Sequence, residues 1–151
     1  MKRISVVAVL VVLFVIGCAS TSNNAGPAAL DAAWMKAFKA GDLEGVMACY
    51  APDAVDWEPG APEAKGAAAI RQAYRDFFAA NTVVDITDSD TQYRTVGNLA
   101  VAWGKSSMTF VPKVTGKPVV STGRFSSAAE KRNGKWLYIV DHGSSDPLPS
   151  R

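Results

Sequence analysis

Apolar and polar positions divide the chain into three stretches of different texture. Residues 4–16 form a continuous apolar run that only Ser5 interrupts. Leu30, Trp34 and Phe38 then recur at the spacing of one helix face, and similar periodicity continues to residue 78. After Thr82, β-branched and aromatic residues dominate, and glycine-containing turns break them into segments. The pattern therefore predicts helices first and strands afterwards.

Three helices and one early strand are predicted in the first half. The first helix lies between Pro27 and the C-terminal stop Gly41. Asp42 can cap the second helix, and the third helix opens near Gly66. Between the second and third helices, the segment AVDWE at residues 54–58 has the alternation of a short strand.

The second half predicts a sheet. Turn pairs at Gly97-Asn98, Thr115-Gly116 and Asn133-Gly134 stand at hairpin positions. The predicted strands are residues 82–89, 92–96, 99–111, 117–130 and 136–142. Sequential hairpins favour a mostly antiparallel sheet, and helices on one face of such a sheet make an α+β fold.

The N-terminus has the features of an export signal. A basic start, MKR, precedes a run of 13 residues that is apolar except for Ser5 and is too short to cross a bilayer comfortably. The following Gly17-Cys18 resembles the bacterial lipobox, in which the cysteine is acylated and becomes the first mature residue. We therefore expect a signal peptide at 1–17, a lipid-anchored tether at 18–27 and the folded domain at 28–151. The alternative is a plain secretory signal with Cys18 incidental.

Location in the cell envelope follows from the lipobox resemblance. Ala19 follows the cysteine, which favours the outer membrane if the host has two membranes. Removal of residues 1–17 also removes Lys2 and Arg3, so that 14 basic and 14 acidic residues remain of the original 16 and 14. A balanced chain without a basic patch predicts no nucleic-acid partner.

Metal and cofactor chemistry finds no support in the residue inventory. His142 is the sole histidine, and Cys18 and Cys49 have no metal-binding spacing. No G-x-S-x-G motif, which would flank the serine of a Ser–His–Asp triad, occurs. We expect a metal-free protein without a cofactor.

Three stretches carry a family resemblance, namely AWMKAFKAGDLEGVMACYAPDAVDWEPG, KGAAAIRQAYRDFF and NGKWLYIVDHGSS. In this order they resemble SnoaL-like members of the nuclear transport factor 2-like superfamily. The resemblance implies a cone in which three helices pack in a curved, mostly antiparallel sheet around a central pocket. It also implies a homodimer, formed through the outer face of the sheet. Isomerases, dehydratases and plain ligand binders share this fold, so the site must decide the function.

Ketosteroid isomerase is the nearest enzymatic template within the resemblance. Its general base is a carboxylate just before a proline on the first strand, which places Glu58 at the base position. Its oxyanion hole uses a tyrosine and a protonated aspartate. The tyrosine position corresponds to Trp34, and the aspartate position falls near Ser126, with no carboxylate between Ser121 and Ala129. The changed donors argue against steroid isomerase chemistry itself.

Strand alternation gives Glu58 the opposite orientation. Val55 and Trp57 share one face and would define the buried side, whereas Asp56 and Glu58 would face outward. The alignment instead places Glu58 inside. We expect a partly exposed Glu58 at the pocket rim, with a pKa close to the ordinary value, and name Arg124 as the cation most able to reach it.

Further candidate residues lie on the last strand and among the aromatics. Asp141 and His142 are adjacent, so they point to opposite faces, and either could assist Glu58. The candidate ligand-binding residues are Trp34, Tyr50, Trp57, Phe77, Trp103 and Arg124. Aromatics of this kind line small-ligand pockets, and a filled core uses the same residues.

Two functions are therefore compatible with the sequence. The first is a membrane-anchored lipoprotein that binds a small, largely apolar ligand. The second is a metal-free acid–base isomerase or dehydratase that uses Glu58 as general base, with help from Asp141 or His142. The altered oxyanion positions favour the first.

The anchor prediction can be tested directly. If Cys18 is acylated, the mature chain begins at Cys18 with an added lipid mass and fractionates with membranes, and Cys18→Ser releases it. Mass spectrometry and membrane fractionation measure both effects. An unmodified mature chain, or unchanged fractionation of Cys18→Ser, would contradict the prediction.

Overall fold

The computed structural model describes residues 26–147 of the chain. The predicted signal peptide, Cys18 and most of the tether lie outside the described residues. The elements, in chain order, are α1 (Pro27–Ala40), α2 (Leu43–Met47), β1 (Tyr50–Trp57), β2 (Ala64–Lys65), α3 (Ala67–Ala80), β3 (Asn81–Val96), β4 (Leu99–Pro112), β5 (Val119–Arg132) and β6 (Lys135–Ser145).

The strands form one curved, unclosed sheet in the order β2-β1-β6-β5-β4-β3. Hairpin neighbours β3–β4, β4–β5 and β5–β6 are antiparallel, as is β1–β2. The pairing of β1 with β6 is parallel, so the sheet is mixed. Hairpin reasoning missed this pairing because the two strands are far apart in sequence and meet only when the helices fold onto the sheet.

Local sequence signals set the element ends. Gly41 ends α1 with φ at 65°, a left-handed conformation that glycine adopts without strain. The side chain of Asp42 then caps α2 by accepting a hydrogen bond of 3.0 Å from the backbone N–H of Gly45. Asn133 and Gly134 both have positive φ, as a tight hairpin between β5 and β6 requires.

The core lies between the helices and the inner face of the sheet. Helix α1 packs against β3 and β6, and α3 packs against β1, β2 and β3. Leu30, Val46 and Ile70 are its largest fully buried side chains. The α+β prediction, with three helices in a curved and mostly antiparallel sheet, is confirmed. No helix among residues 26–147 is long and apolar enough to cross a bilayer.

Boundary differences are small and have local causes. The predicted strands at 82–89 and 92–96 are one strand, β3, whose pairing with β4 shifts register between Ser89 and Gln92. Helix α2 ends at Met47, so Tyr50 begins β1 instead of extending the helix stripe. The predicted loop before helix three contains the two-residue strand β2.

The helix–sheet core predicts a large cost for truncating Ile70. Its side chain is 0% exposed, so Ile70→Ala should lower the free energy of unfolding by about 2–5 kcal/mol, from lost transfer energy plus a cavity. Val114→Ala, at a position 91% exposed, is the control and should change it by less than about 0.5 kcal/mol. Urea unfolding measures both. Equal effects of the two substitutions would show that α3 does not anchor the core.

Candidate functional site

A central cavity of about 400 Å³ lies between the helices and the inner face of the sheet. Its apolar wall consists mainly of Trp34, Phe38, Phe77, Ile86, Met108, Phe110 and Phe125. Its ionisable lining consists of Asp31, Asp56, Glu58, Tyr74, Asp88, Arg124, Tyr138 and Asp141. Apolar walls with a few converging polar groups are typical of small-molecule sites.

Strand register brings two of the carboxyl groups together. Asp56 on β1 pairs with Asp141 on β6, and Asp141 pairs with Ser127 on β5. Side chains at paired positions share a face of the sheet. All three line the cavity and form an inward row across the neighbouring strands.

The next register position forms an outward row. Trp57 pairs with His142, His142 with Ser126, and Ser126 with Trp103. Trp57 is 42% exposed and donates a 2.7 Å hydrogen bond from Nε1 to Oε2 of Glu63. The structure therefore places the three candidates Trp57, Trp103 and His142 outside the cavity.

The expectation that Val55 and Trp57 define the buried face of β1 is thus wrong. Asp56 is only 2% exposed, whereas Trp57 lies on the outer face with its ring edge-on to that of His142. Hydropathy alternation assumes that the buried face is apolar. Here the covered face of β1 opens into a cavity, and Tyr50 and Tyr74 supply polar contacts there.

Glu58 lies at the cavity rim. The residue is exposed to solvent, but it also lines the cavity next to Pro59. A Cβ added to Gly143 would lie 2.9 Å from Oε2 of Glu58 and 3.1 Å from Cδ of Pro59. The missing side chain of Gly143 therefore makes room for the Glu58 carboxyl group.

Burial of its carboxyl group, reinforced by the charges of Asp56 and Asp141, raises the pKa of Glu58 to about 8. Glu58 is exposed as a residue while its carboxyl group is buried, because a residue at the rim can point the end of its side chain into the cavity. The position at the rim agrees with the sequence-based expectation. The near-ordinary pKa expected with it does not, because Arg124 forms an ion pair with Asp146 instead, with Nη2 and Oδ1 3.1 Å apart.

Asp56 is the most confined of the carboxyl groups. Its Oδ1 atom is buried and has no hydrogen-bond partner among the described residues. Burial, followed by the charge of Asp141, raises the pKa of Asp56 to about 7. A buried polar atom without a partner costs about 1–3 kcal/mol, so this atom indicates a place for a ligand or water.

Asp141 is held by two hydrogen bonds. Tyr50 donates from its hydroxyl group to Oδ2 at 2.7 Å, and the backbone N–H of His142 donates to Oδ1 at 3.0 Å. Burial raises the pKa of Asp141 to about 6, and these two donors oppose the rise. Because Tyr50 uses its proton on Asp141, Tyr74 is the donor in the 2.7 Å contact between the two tyrosines. Tyr50 thus supports the cavity from behind its wall.

A second carboxyl cluster occupies the α1 side of the cavity. Asp31 is buried and accepts hydrogen bonds from the hydroxyl groups of Tyr138 and Tyr93, the latter at 2.7 Å. Asp88 also lines the cavity, and burial raises its pKa. Sequence reasoning missed both residues, although Asp31 shares the helical stripe of Trp34 and Phe38.

Trp34 offers a donor without an acceptor. Its Nε1 atom is buried, and no described residue accepts its hydrogen. The indole ring stacks on Phe38, with centroids 4.9 Å apart, and this contact fixes its orientation in the cavity wall. The predicted residues Trp34, Glu58, Phe77, Arg124 and Asp141 therefore all line the same cavity.

The arrangement suits proton transfer between carboxyl groups and a bound molecule. Asp56, Glu58 and Asp141 all titrate between about pH 6 and pH 8, where a general acid or base is most effective. No group of three or more His, Cys, Asp or Glu within residues 26–147 is arranged to hold a metal ion.

Comparison with known proteins agrees with this architecture. Residues 32–139 match the model of a family described as a SnoaL-like domain. A ketosteroid isomerase-like protein from Erwinia carotovora atroseptica SCRI1043 superposes with a TM-score of 0.73 at 23% identity, over 80% of this chain and 94% of that one. A nuclear transport factor 2-like superfamily protein from Salmonella enterica serovar Typhimurium LT2 gives a TM-score of 0.71 at 18% identity, over 81% and 89%.

A third solved structure, a nuclear transport factor 2-like protein of unknown function from Pseudomonas putida KT2440, gives a TM-score of 0.66. Its identity is 21%, over 81% of this chain and 85% of that one. At this level of identity the three structures establish the cone fold and leave the activity open. No protein of the curated collection matches the chain.

The raised pKa of Asp56 predicts a pH-dependent stability. Because the folded state holds this proton more tightly than the unfolded state, Asp56 stabilises the fold fully below about pH 4 and loses this contribution as the pH rises through about 7. The wild type minus Asp56→Asn difference in unfolding free energy should fall by at most about 1.4 kcal/mol per pH unit in this window. Urea unfolding from pH 4 to 8 measures it.

Asp53→Asn is the matched control for this measurement. Asp53 lies on the same strand but is exposed, and its pairing with Arg132 lowers its pKa. Its contribution therefore has the opposite sign: it is present above the ordinary pKa and lost as the pH falls. A wild type minus Asp56→Asn difference that stays flat, or that rises with pH, would show that Asp56 titrates normally.

Proposed function

The chain belongs to the SnoaL-like domain family, and from that premise we propose that it binds a small, largely apolar molecule in the central cavity and moves a proton on it. In this proposal Glu58 is the general base of a metal-free isomerase or dehydratase. The protein acts at the bacterial cell envelope, held by a lipid on Cys18.

One observation carries the proposal: the carboxyl group of Glu58 lies in the same cavity as Asp56 and Asp141. Burial, and after it the charges of Asp56 and Asp141, raises the pKa of Glu58 to about 8, so its protonated and ionised forms coexist near neutral pH. A carboxyl group on a solvated outer face would have neither property. This placement favours the acid–base enzyme over plain ligand binding, the function that the sequence alone favours.

The chemistry follows from the positions of donors and acceptors. Ionised Glu58 takes a proton from a carbon next to a carbonyl group, and the N–H of Trp34 donates to the carbonyl oxygen as negative charge develops there. In an isomerisation, protonated Glu58 returns the proton to a different carbon. In a dehydration, the proton passes to a departing hydroxyl group, which leaves as water.

Binding without turnover is the second candidate, and the cavity wall favours it. Trp34, Phe38, Phe77 and Phe110 give most of the wall an apolar surface, which suffices to hold a ligand. In this case Glu58 orients a polar group of the ligand. With the lipid anchor proposed here, the domain would hold a small molecule at the membrane surface.

A generic carbon acid tests the catalytic proposal without knowledge of the substrate. We expect the protein to accelerate exchange of the α-protons of 2-tetralone, an apolar two-ring ketone, for deuterium in D₂O, as followed by ¹H NMR. The rate should rise with pH through about 8, the pKa of Glu58. Glu58→Gln should lower it by a factor of about 10²–10⁴, the usual contribution of a general base.

Two further variants sharpen this test. Gly143→Ala introduces a Cβ at 2.9 Å from Oε2 of Glu58, so it should displace the carboxyl group and lower the rate without removing the base. Asp53→Asn, exposed on the same strand, should leave the rate unchanged. Exchange that is insensitive to Glu58→Gln would contradict the catalytic proposal. Tetralone binding without faster exchange would favour the ligand-binding candidate.

A further inference from the structure

The charges that line the cavity are markedly unequal. Among residues 26–147, five carboxyl groups line it, from Asp31, Asp56, Glu58, Asp88 and Asp141, against one basic residue, Arg124. We propose that the molecule taken by this cavity is an organic cation, an apolar body that carries a protonated amine held by Asp56. This inference rests on the proposed binding function and specifies its ligand class.

Arg124 does not neutralise the interior of the cavity. Its side chain is 66% exposed, and its guanidinium group pairs with Asp146. Two other basic residues of the sheet are also engaged in ion pairs, since Nζ of Lys105 lies 2.7 Å from Asp90 and Arg132 pairs with Asp53. The described residues therefore leave the inward carboxyl groups without a cation.

Asp56 provides the independent indication that a ligand belongs here. Asp31 receives two tyrosine hydroxyl groups and Asp141 receives a hydroxyl group and a backbone N–H. Oδ1 of Asp56, in a residue only 2% exposed, receives nothing from the described residues. Its missing partner is a hydrogen-bond donor, and an ammonium group brings three donors together with the opposite charge.

The walls distinguish an organic cation from a metal ion. The carboxyl groups of the described residues are not gathered into a set that could coordinate a metal. They lie instead beside aromatic rings, with Trp34 stacked on Phe38 and Tyr74 edge-on to both. Aromatic faces attract ammonium groups and also hold an apolar body.

Amine binding must be linked to proton release. The titratable and charged groups that face Asp56 across the cavity are Asp31 on α1, Glu58 after β1, Tyr74 on α3, Asp88 on β3, Arg124 on β5, and Tyr138 and Asp141 on β6. Without a ligand, burial favours the neutral forms of Asp56 and Glu58. An ammonium group favours their ionised forms, so it also prepares Glu58 to act as a base.

Three probes of matched size test the ligand class by isothermal titration calorimetry: 2-(1-naphthyl)ethylamine, 2-(1-naphthyl)ethanol and 1-naphthylacetate. At pH 8 we expect the amine to bind at least tenfold more tightly than the alcohol, and the carboxylate to bind most weakly. The preference for the amine should shrink toward pH 5.5, and amine binding should release protons, seen as a heat that depends on the ionisation enthalpy of the buffer.

Asp56→Asn keeps the shape of the side chain and removes its charge, so it should bring the amine and alcohol affinities to within about threefold. Asp76→Asn removes the same charge from an exposed position on α3 and should leave the preference intact. Alcohol binding equal to or tighter than amine binding, or a preference that Asp56→Asn does not reduce, would overturn the cation inference alone. Binding of none of the three probes would overturn both the inference and the binding function on which it rests.

Discussion

Burial of Asp56 opposite Asp141 is the constraint on which the rest of the site depends. The parallel pairing of β1 with β6 places the two carboxyl groups side by side on the inner face of the sheet. Two negative charges at this separation in an apolar cavity repel strongly, so at least one proton is retained near neutral pH. Burial raises the pKa of Asp56, Asp141 and Glu58, and the charge of Asp141 adds to the rise for Asp56 and Glu58.

The carboxyl groups of Asp141 and Asp56 differ in the hydrogen bonds that surround them. The hydroxyl group of Tyr50 contacts that of Tyr74 and donates a hydrogen bond to Asp141. A hydrogen bond to a carboxylate stabilises its ionised form. These hydrogen bonds oppose the rise that burial causes in the pKa of Asp141. For Asp56, burial and then the charge of Asp141 raise the pKa. The two carboxyl groups thus have different surroundings on the same face of the sheet.

The sequence predicted the fold well because each element has local signals. Gly41 and Asp42 mark one helix junction, and Asn133-Gly134 marks the last hairpin. It predicted the site less well, because the site depends on which face of β1 is covered. Val55 and Trp57 are more apolar than Asp56, so alternation favours them as the buried pair. The family alignment already placed Glu58 inside, and the burial of Asp56 opposite Asp141 on β6, a pairing that no hairpin signal reveals, shows that the carboxyl face is the inner one.

The same register that gathers the carboxyl groups also separates two surfaces. At the next register position, the outer face carries a row of four residues, namely Trp57, His142, Ser126 and Trp103. Trp57 is 42% exposed there, and Trp103 is 41% exposed. A shift of β1 by one residue would exchange Asp56 and Trp57, placing a tryptophan in the cavity and a carboxyl group outside. Gly143 adds a second restraint on the inner side, since any side chain there would contact the Glu58 carboxyl group. The chemistry of the cavity is therefore set by strand register and by one missing side chain, more than by the composition of any single segment.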